Sequence, residues 1–429
     1  MASSKSKLNL IVYYFFALLI IFLPLQRLIE QILLFRFHFP SSLAFWTTHF
    51  YEPIIIIVLA IELLLIVDPW VKPENDRKKT RVIVSVVVML IMISILSAFL
   101  LSPSISRGLE GVRFSIFFLL TFLAGYLSDF KSDQRNKLLN VYLMMAFIIA
   151  LWAILERFLP VNYLMKLKLI DPDSCFGYGT HRVDAIWQSV TGIGGPNQLG
   201  SYLLPAIFIS ISQISKLKPP TYNSKLKMYL NILIIFGITA VVLSFSRSAW
   251  AGLYAGFLVY LILFIKNIKL QIAGLAILIV IAALGLNYYL DQPNDILTHG
   301  ASSESHQSAF ELSVTEIKNR FEAPVKLIFG SGIGTAGPAA LKYGDGFVSE
   351  SWYLQLALEL GILGLVLWLI LIALLLADLY KKNQGLFLGL IAVSVTAVFL
   401  HTFADNPALS ITLFLLIGLI SSNKPNTKE

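Results

Sequence analysis

The stretch VIVSVVVMLIMISILSAFLL, residues 82–101, decides the fold class of this chain. It contains no charged residue, and it is long enough to cross the hydrocarbon core of a bilayer, which takes about 20 helical residues. Similar runs recur along all 429 residues, of which 57% are hydrophobic and only 14% charged. The sequence therefore predicts an all-α polytopic membrane protein, in which residues 1–429 form a single integral membrane domain.

We predict twelve transmembrane helices from these apolar runs. They lie near residues 8–25, 53–67, 82–101, 112–127, 138–158, 198–214, 227–244, 248–265, 270–289, 351–377, 385–402 and 406–421.

The positions of Lys and Arg predict the orientation, because short basic loops stay on the cytoplasmic side. With both termini inside, the predicted inner segments hold most of the 33 Lys and Arg residues. The predicted outer segments are then residues 27–52, 102–111, 160–197 and 291–349. We expect a plasma-membrane protein with cytoplasmic termini, which in a bacterium means the inner membrane.

The net charge of +8 follows from this topology, because juxtamembrane cations face an anionic inner leaflet. It is not a signature of nucleic-acid binding. A single cysteine, Cys175, excludes an intramolecular disulfide and any site built on several cysteines. We predict no metal site and no cofactor.

The one long polar segment, residues 291–349, ends where the predicted tenth span begins with ESWYLQLALEL (350–360). A long loop in a compact protein is usually functional or disordered. We expect the chemistry at this junction, with Glu350 and Tyr353 at the start of the span. Glu359 lies deeper, where an intramembrane carboxylate is either functional or bound to a neighbouring helix.

Arg247 lies in the tight connection SFSRSAW (244–250) between two apolar spans. Two interpretations are open: a rim cation that reaches water, or an anion ligand whose planar fork suits phosphate oxygens. Ser246 and Ser248 add hydroxyl donors beside it. Arg107 and Arg113 flank the start of another span on the same predicted side, so several cations near one face suit a lipid diphosphate.

Three ordered motifs resemble the family of O-antigen ligases and O-antigen polymerases. SRSAWAG (246–252) is similar to the family's arginine motif, and GPNQLG (195–200) to its upstream asparagine segment. FGSGIGT (329–335), followed by Glu350-Ser351 and GILG (361–364), is similar to its late-loop pattern. We take residues 190–370 as the core of this resemblance.

The resemblance implies a membrane glycosyltransferase of polysaccharide biosynthesis in the cell envelope. Family members move a glycan from undecaprenyl diphosphate to an acceptor hydroxyl on the outer side of the inner membrane, without a nucleotide sugar or an obligatory metal. Polymerases use a lipid-linked glycan as acceptor, and a chain-length regulator is an expected partner; ligases transfer to the lipid A core of lipopolysaccharide. By position in the motifs, Arg247 is the expected diphosphate ligand, supported by Asn197, Ser246 and Ser248.

The late-loop pattern of ligases begins with a histidine, the proposed acceptor base, where this chain has Glu350. That difference favours a polymerase over a ligase. Glu350 is the expected base, although an acid in a first helical turn has the simpler interpretation of a helix N-terminal residue. His306 is the alternative base, unless it is a solvated loop side chain.

A transporter or flippase of lipid-linked oligosaccharide is the alternative from another class. Such proteins usually carry inverted repeats and binding groups at the bilayer midplane. This chain instead concentrates its polar groups at one predicted face and has no internal repeat.

Overall fold

The structure is a computed structural model, and the residues that it describes are helical apart from short connections and one strand pair. The described residues are 2–66, 77–160, 175–176, 180–181, 195–216, 224–291, 300–343 and 348–422. The strands β1 (Cys175–Phe176) and β2 (Thr180–His181) pair antiparallel, with Cys175 opposite His181.

The helices of the first half begin with α1. They are α1 (Ala2–Phe22), α2 (Gln26–Gln31), α3 (Ser41–His49), α4 (Tyr51–Ile66), α5 (Arg77–Leu100), α6 (Ile105–Ser115), α7 (Phe117–Leu127), α8 (Ser132–Phe158), α9 (Pro196–Lys216) and α10 (Ser224–Leu243). A 3₁₀ turn at Leu23–Leu25 and a π turn at Ile32–Arg36 lie on either side of α2.

The helices of the second half begin with α11, at the arginine motif. They are α11 (Arg247–Phe264), α12 (Ile268–Asp291), α13 (Gly300–Asn319), α14 (Pro324–Phe329), α15 (Pro338–Tyr343), α16 (Trp352–Glu359), α17 (Gly361–Lys382), α18 (Gln384–Phe399), α19 (Thr402–Asp405) and α20 (Pro407–Ser421). A 3₁₀ turn at Arg320–Glu322 joins α13 to α14.

Within the described residues, seven helices are long and apolar enough to cross a membrane, and the bent pair α6–α7 makes an eighth if it forms one span. Many large apolar side chains on their outer surfaces are exposed, such as Met92, Ile235 and Ile262. Exposed apolar surface on this scale is typical of a protein whose solvent is lipid. The predicted class, an all-helical membrane protein, is confirmed. The other four predicted spans coincide with α9, α12, α18 and α20, which fall short of the same test by length or composition.

Two predicted spans are broken, which an uninterrupted apolar run did not reveal. The predicted span 351–377 is two helices, because Leu360 leaves helical geometry and Gly361 has φ +70°. A Cβ on Gly361 would lie 2.2 Å from the carbonyl oxygen of Ile328, so only glycine permits this approach. The span 112–127 lies across a 50° bend between α6 and α7.

The predicted loop 291–349 is also largely helical where the structure describes it. Helices α13, α14 and α15 occupy most of that segment. The absence of a long apolar run predicts a loop for this segment, but tertiary contacts stabilise short polar helices. These contacts include α13 with α16 and α15 with α6.

The core is built by packed helix pairs, most of which are distant in sequence. Helix α7 packs on α20, α9 lies against both α10 and α18, and α11 packs on α18. Gly200 permits α9 to lie close to α11, because a Cβ on it would be 2.5 Å from Cβ of Ala249. Gly252 permits α11 to lie close to α18, because a Cβ on it would be 2.5 Å from the carbonyl oxygen of Ala392. The motif glycines therefore serve helix packing.

Contacts at the two ends of the bundle join segments that the topology prediction places on the same side. At one end, which we call the motif end and define by Asn197, Arg247, Gly334 and Glu350, the Ser102 hydroxyl donates to the carbonyl of Ile333 (2.7 Å). At the opposite end, Arg135 donates to the carbonyl of Leu419 (3.3 Å), and Lys382 donates to that of Ser421 (3.0 Å). This agrees with the predicted alternation of the connections, whichever end faces outward.

Candidate functional site

Two of the three sequence motifs are in direct contact at the motif end. The Ser246 hydroxyl donates to Oδ1 of Asn197 (2.7 Å) and lies 3.1 Å from the Ser248 hydroxyl. Ser246 also caps α11 by accepting from the amide of Ala249 (3.4 Å). Asn197 is in the first turn of α9, so the N-termini of α9 and α11 meet here.

Arg247 is the first residue of α11 and is half-buried. Phe245, two residues earlier, has φ +49°, which produces the tight turn before the N-cap Ser246. The N-terminus of a helix is its positive pole, which repels a cation and attracts an anion. The Arg247 guanidinium and the N-terminus of α11 are thus both positive, and together they would attract an anionic ligand.

The glycine-rich segment 330–337 is a fixed loop and not the flexible hinge that its composition suggests. Gly330, Gly332 and Gly334 have positive φ. The amides of Ser331 and Gly332 donate to the carbonyls of Leu358 (3.0 Å) and Glu359 (3.2 Å). The late-loop pattern is thus held to the end of α16 by backbone hydrogen bonds.

Arg107 is buried and holds this loop from the other side. Its Nε donates to the carbonyl of Gly334 (2.8 Å), and its guanidinium lies 5.7 Å from the ring centre of Tyr343. A Cβ on Gly111, one turn further along α6, would lie 2.4 Å from the amide nitrogen of Gly334. In this structure Arg107 therefore positions the loop, and its predicted role toward a diphosphate stays a prediction.

Glu359 is fully buried and accepts hydrogen bonds on both carboxylate oxygens. Oε1 accepts from the amides of Gly334 (3.0 Å) and Ala336 (3.2 Å). Oε2 accepts from Gln355 (3.2 Å) and from the Ser115 hydroxyl (3.4 Å). This carboxylate joins the glycine loop to the bend between α6 and α7, which is the second of the two interpretations open from the sequence.

Arg113 belongs to a network of alternating charges. Its Nε donates to both oxygens of Glu52 (2.8 and 2.9 Å), and its NH1 lies 3.8 Å from Glu110. Lys342 of α15 also pairs with Glu110 (2.7 Å). The positive charge of Arg113 is offset by carboxylates in this structure, which weakens its predicted role as a diphosphate ligand.

Glu350 is not in a first helical turn, contrary to the sequence interpretation. Helix α16 begins at Trp352 with Ser351 as its N-cap, and Glu350 precedes the cap with φ +55°. The simpler interpretation of Glu350, as an acid in the first turn of a helix, therefore does not apply. The amide of Trp352 donates to the carbonyl of Leu400 (3.1 Å), which places Glu350 beside the connection between α18 and α20.

That connection carries a pair that sequence analysis missed, His401 and Asp405. Nε2 of His401 lies 3.5 Å from Oδ2 of Asp405, and both side chains are at most one-tenth exposed. Among the described residues, neither ring nitrogen of His401 has a hydrogen-bond partner. Burial raises the pKa of Asp405 to about 6; His401 opposes the shift and the nearby Glu350 adds to it. The i, i+4 spacing of a histidine and an aspartate before Asn406-Pro407 was the available signal.

A cleft of about 430 Å³ opens at the motif end, beside this pair. We call it the polar cleft. Its walls come from α2 to α4, from α6 and α7, from α15, and from residues 404–411. Arg113 is the predicted site residue that lines it. Asp405, which was not predicted, also lines it, and we call its side of the cleft the floor.

One residue of α9 joins the Arg247 corner to this floor. Nε2 of Gln198 donates to the carbonyl of Asp405 (2.5 Å), and Nδ2 of Asn406 donates to the carbonyl of Gln198 (2.9 Å). Oδ1 of Asn406 also caps α20 by accepting from the amide of Leu409 (3.1 Å). Asn197 thus contacts the arginine motif, and its neighbour Gln198 contacts the polar cleft.

The structure does not place every predicted site residue at the same site. The Tyr353 hydroxyl donates to the carbonyl of Ser394 (3.0 Å), so it secures α16 to α18. His306 is within α13, but its side chain falls outside the described part of the chain. The rivalry between Glu350 and His306 as base therefore stays open.

No family model matches this chain, and no curated protein matches it in sequence. The resemblance to O-antigen ligases and polymerases accordingly depends on the three motifs and on how they meet in the structure.

Proposed function

We propose that the protein is an O-antigen polymerase-like glycosyltransferase that uses a glycan donor linked to undecaprenyl diphosphate. The observation that carries the proposal is the contact between motifs: Ser246 is hydrogen-bonded to Asn197, and the next residue, Gln198, reaches the Asp405 connection beside Glu350. Arg247, as the diphosphate ligand, and Glu350, as the acceptor base, would then lie on neighbouring elements.

The proposal includes the topology. Twelve spans with both termini in the cytoplasm would place the motif end, and the helices of residues 291–349, on the outer face of the inner membrane. Support comes from the contacts that join connections assigned to the same side.

In the proposed reaction, an acceptor hydroxyl oxygen attacks the anomeric carbon of the donor. The bond from that carbon to the diphosphate oxygen breaks with inversion, and its electron pair leaves on undecaprenyl diphosphate. Glu350 takes the hydroxyl proton, and Arg247, at the positive pole of α11, stabilises the leaving diphosphate. Arg113 is less suited to this task, since Glu52 and Glu110 offset its charge.

The test is reconstitution with a purified lipid-linked repeat unit in liposomes. We expect a ladder of products that grow by whole repeat units, without added metal or nucleotide sugar. Arg247→Ala should abolish the ladder, while Arg81→Ala, an exposed arginine at the opposite end, should leave it intact. Single transfer to a lipid A core acceptor would make the protein a ligase. Movement of the donor across the bilayer with unchanged glycan length would make it a flippase.

A further inference from the structure

The polar cleft is built largely from a part of the chain outside the three motifs. Gln26, Phe45 and His49 line one wall, and they come from α2 and α3. The volume of about 430 Å³ falls within the range of small-molecule sites, roughly 300 to 1,000 Å³. The motifs account for the Arg247 corner but not for this wall.

Aromatic rings make that wall rigid. The ring of Phe45 stacks on that of His49, with centres 4.1 Å apart and planes 18° apart. The guanidinium of Arg113 lies 5.1 Å from the Phe45 ring centre, and Gln26 contacts Nε2 of His49 (3.1 Å). Phe45 is 37% exposed. A preorganised aromatic surface suits the C–H faces of a sugar ring, because it loses little side-chain entropy on binding.

The polar groups of the cleft include several oxygen acceptors. Glu30, Glu52, Glu110 and Asp405 contribute carboxyl groups, and Asn406 contributes an amide. An ionised carboxylate only accepts hydrogen bonds, whereas a sugar hydroxyl donates one and accepts others. The chemistry of the lining therefore matches a polyhydroxylated ligand.

The balance of charge decides which sugars fit. Among the described lining residues, four carry carboxyl groups and two, Arg113 and Lys342, are cationic; both cations pair with carboxylates of the lining. A phosphate or a uronic acid would meet an excess of like charge. An uncharged sugar, or an amino sugar, would not. The diphosphate of a donor accordingly belongs at the Arg247 corner, on the other side of Asn197 and Gln198.

We propose that the polar cleft binds the acceptor sugar and selects a sugar without negative charge. This inference rests on the proposed function, since it names the substrate class of the acceptor half of that site. Its floor, at Asp405, adjoins Glu350, so a hydroxyl of the bound sugar would be presented to the proposed base.

Binding without turnover tests the inference. The detergent-solubilised protein, carrying a fluorescent label, is applied to an array of neutral, amino and uronic-acid oligosaccharides, and affinities are then measured in solution. We expect binders among neutral or amino glycans, with uronic-acid glycans weaker by about tenfold or more.

Matched variants on one helix locate the site. Phe45→Ala should weaken neutral-glycan binding by about tenfold. Trp46→Ala, which removes an exposed aromatic residue that does not line the cleft, should not change it. Gel filtration and thermal unfolding verify that both variants are folded. Equal effects of the two substitutions, equal binding of acidic glycans, or an array without any binder would each overturn the inference.

The two proposals can fail separately. A protein that extends lipid-linked glycans, with the same acceptor KM in Phe45→Ala as in the unaltered chain, would retain the transferase and refute the cleft assignment. Selective binding of neutral glycans without any chain extension would leave a sugar-binding cleft and refute the transferase.

Discussion

Glu359 and Asp405 are both buried carboxyl groups at the motif end, but their surroundings differ. Glu359 is enclosed by four hydrogen-bond donors from the glycine loop and from α6 and α16. Asp405 faces His401 at 3.5 Å, lies near Glu350, and lines the polar cleft. A buried carboxylate whose two oxygens both accept hydrogen bonds from the protein stabilises the fold. A buried carboxyl group beside an imidazole and an open cleft can in addition exchange a proton with a ligand.

The largest expected effect is on the reaction, at the Asp405 side of this comparison. Removing a general base typically costs about 100- to 10,000-fold in rate, so Glu350→Gln should nearly abolish chain extension. Donor binding and thermal stability should change little. Turnover of the lipid-linked repeat unit is the measurement. Retained turnover in Glu350→Gln, together with loss in His306→Ala, would transfer the base role to the histidine.

At the other carboxylate, the main effect should be on stability. Glu359→Ala leaves two buried amides and two side-chain donors without their acceptor, which should cost about 3 to 5 kcal/mol in the free energy of unfolding. Thermal unfolding in detergent measures this, with Glu322→Ala, which removes an exposed acid in the turn before α14, as the control. A Glu359→Ala protein of normal stability but without activity would break the comparison, because Glu359 would then belong to the reacting site.

The pH dependence of stability tests the Asp405 side of the comparison. The folded-state pKa of Asp405 is about 6, above the ordinary value near 3.9, so the folded protein retains this proton more strongly than the unfolded chain. The stability contribution is therefore complete below about pH 4 and is lost as the pH rises through about 6. Asp405→Asn should remove this slope and raise stability above pH 6 by about 2 kcal/mol relative to the unaltered chain.

Thermal unfolding between pH 4 and pH 8 is the measurement for Asp405→Asn. Asp133→Asn, at an exposed position of the opposite end, provides the control for general pH effects. An unchanged slope in Asp405→Asn would mean that this carboxyl titrates normally, and that it resembles a solvated group more than a buried one.

The smallest expected effect tests the Arg247 corner, which lies outside both carboxyl clusters. Arg247→Lys keeps the charge but loses the planar fork, so activity should fall by about tenfold with folding unchanged. The donor KM and kcat of the reconstituted enzyme measure it. An activity equal to that of the unaltered chain would reduce Arg247 to a rim cation, the first of its two sequence interpretations.

The sequence was sufficient for the helices but not for what they bring together. Uninterrupted apolar runs such as residues 82–101 specify helices locally, and the structure has α5 there. The break at Leu360 was not visible, because it depends on Gly361 meeting the backbone of Ile328 from a distant segment. Glu52 and Arg113 are 61 positions apart, so their pairing required the tertiary fold.

For the candidate site too, some features could be predicted from the sequence and others could not. Its chemistry could be assigned to residue types along the chain, including Arg247, Ser246 and Asn197. The partners of those residues could not, since periodicity and spacing carry no information on which helices become neighbours. His401 and Asp405 were overlooked because they follow directly on an apolar run and were taken as the edge of a span.

Asn406 makes one position at the motif end unusually intolerant of exchange. Its two amide atoms perform separate tasks, since Oδ1 caps α20 and Nδ2 bridges to the carbonyl of Gln198. Aspartate and serine are ordinarily equivalent to asparagine as helix caps. Neither could replace it here. An ionised aspartate has no hydrogen-bond donor, and serine has a single hydroxyl in place of the two amide groups that reach separate partners. A substitution that helix stability alone would accept as neutral would therefore remove one of the two hydrogen bonds that join the first turn of α9 to the floor of the cleft.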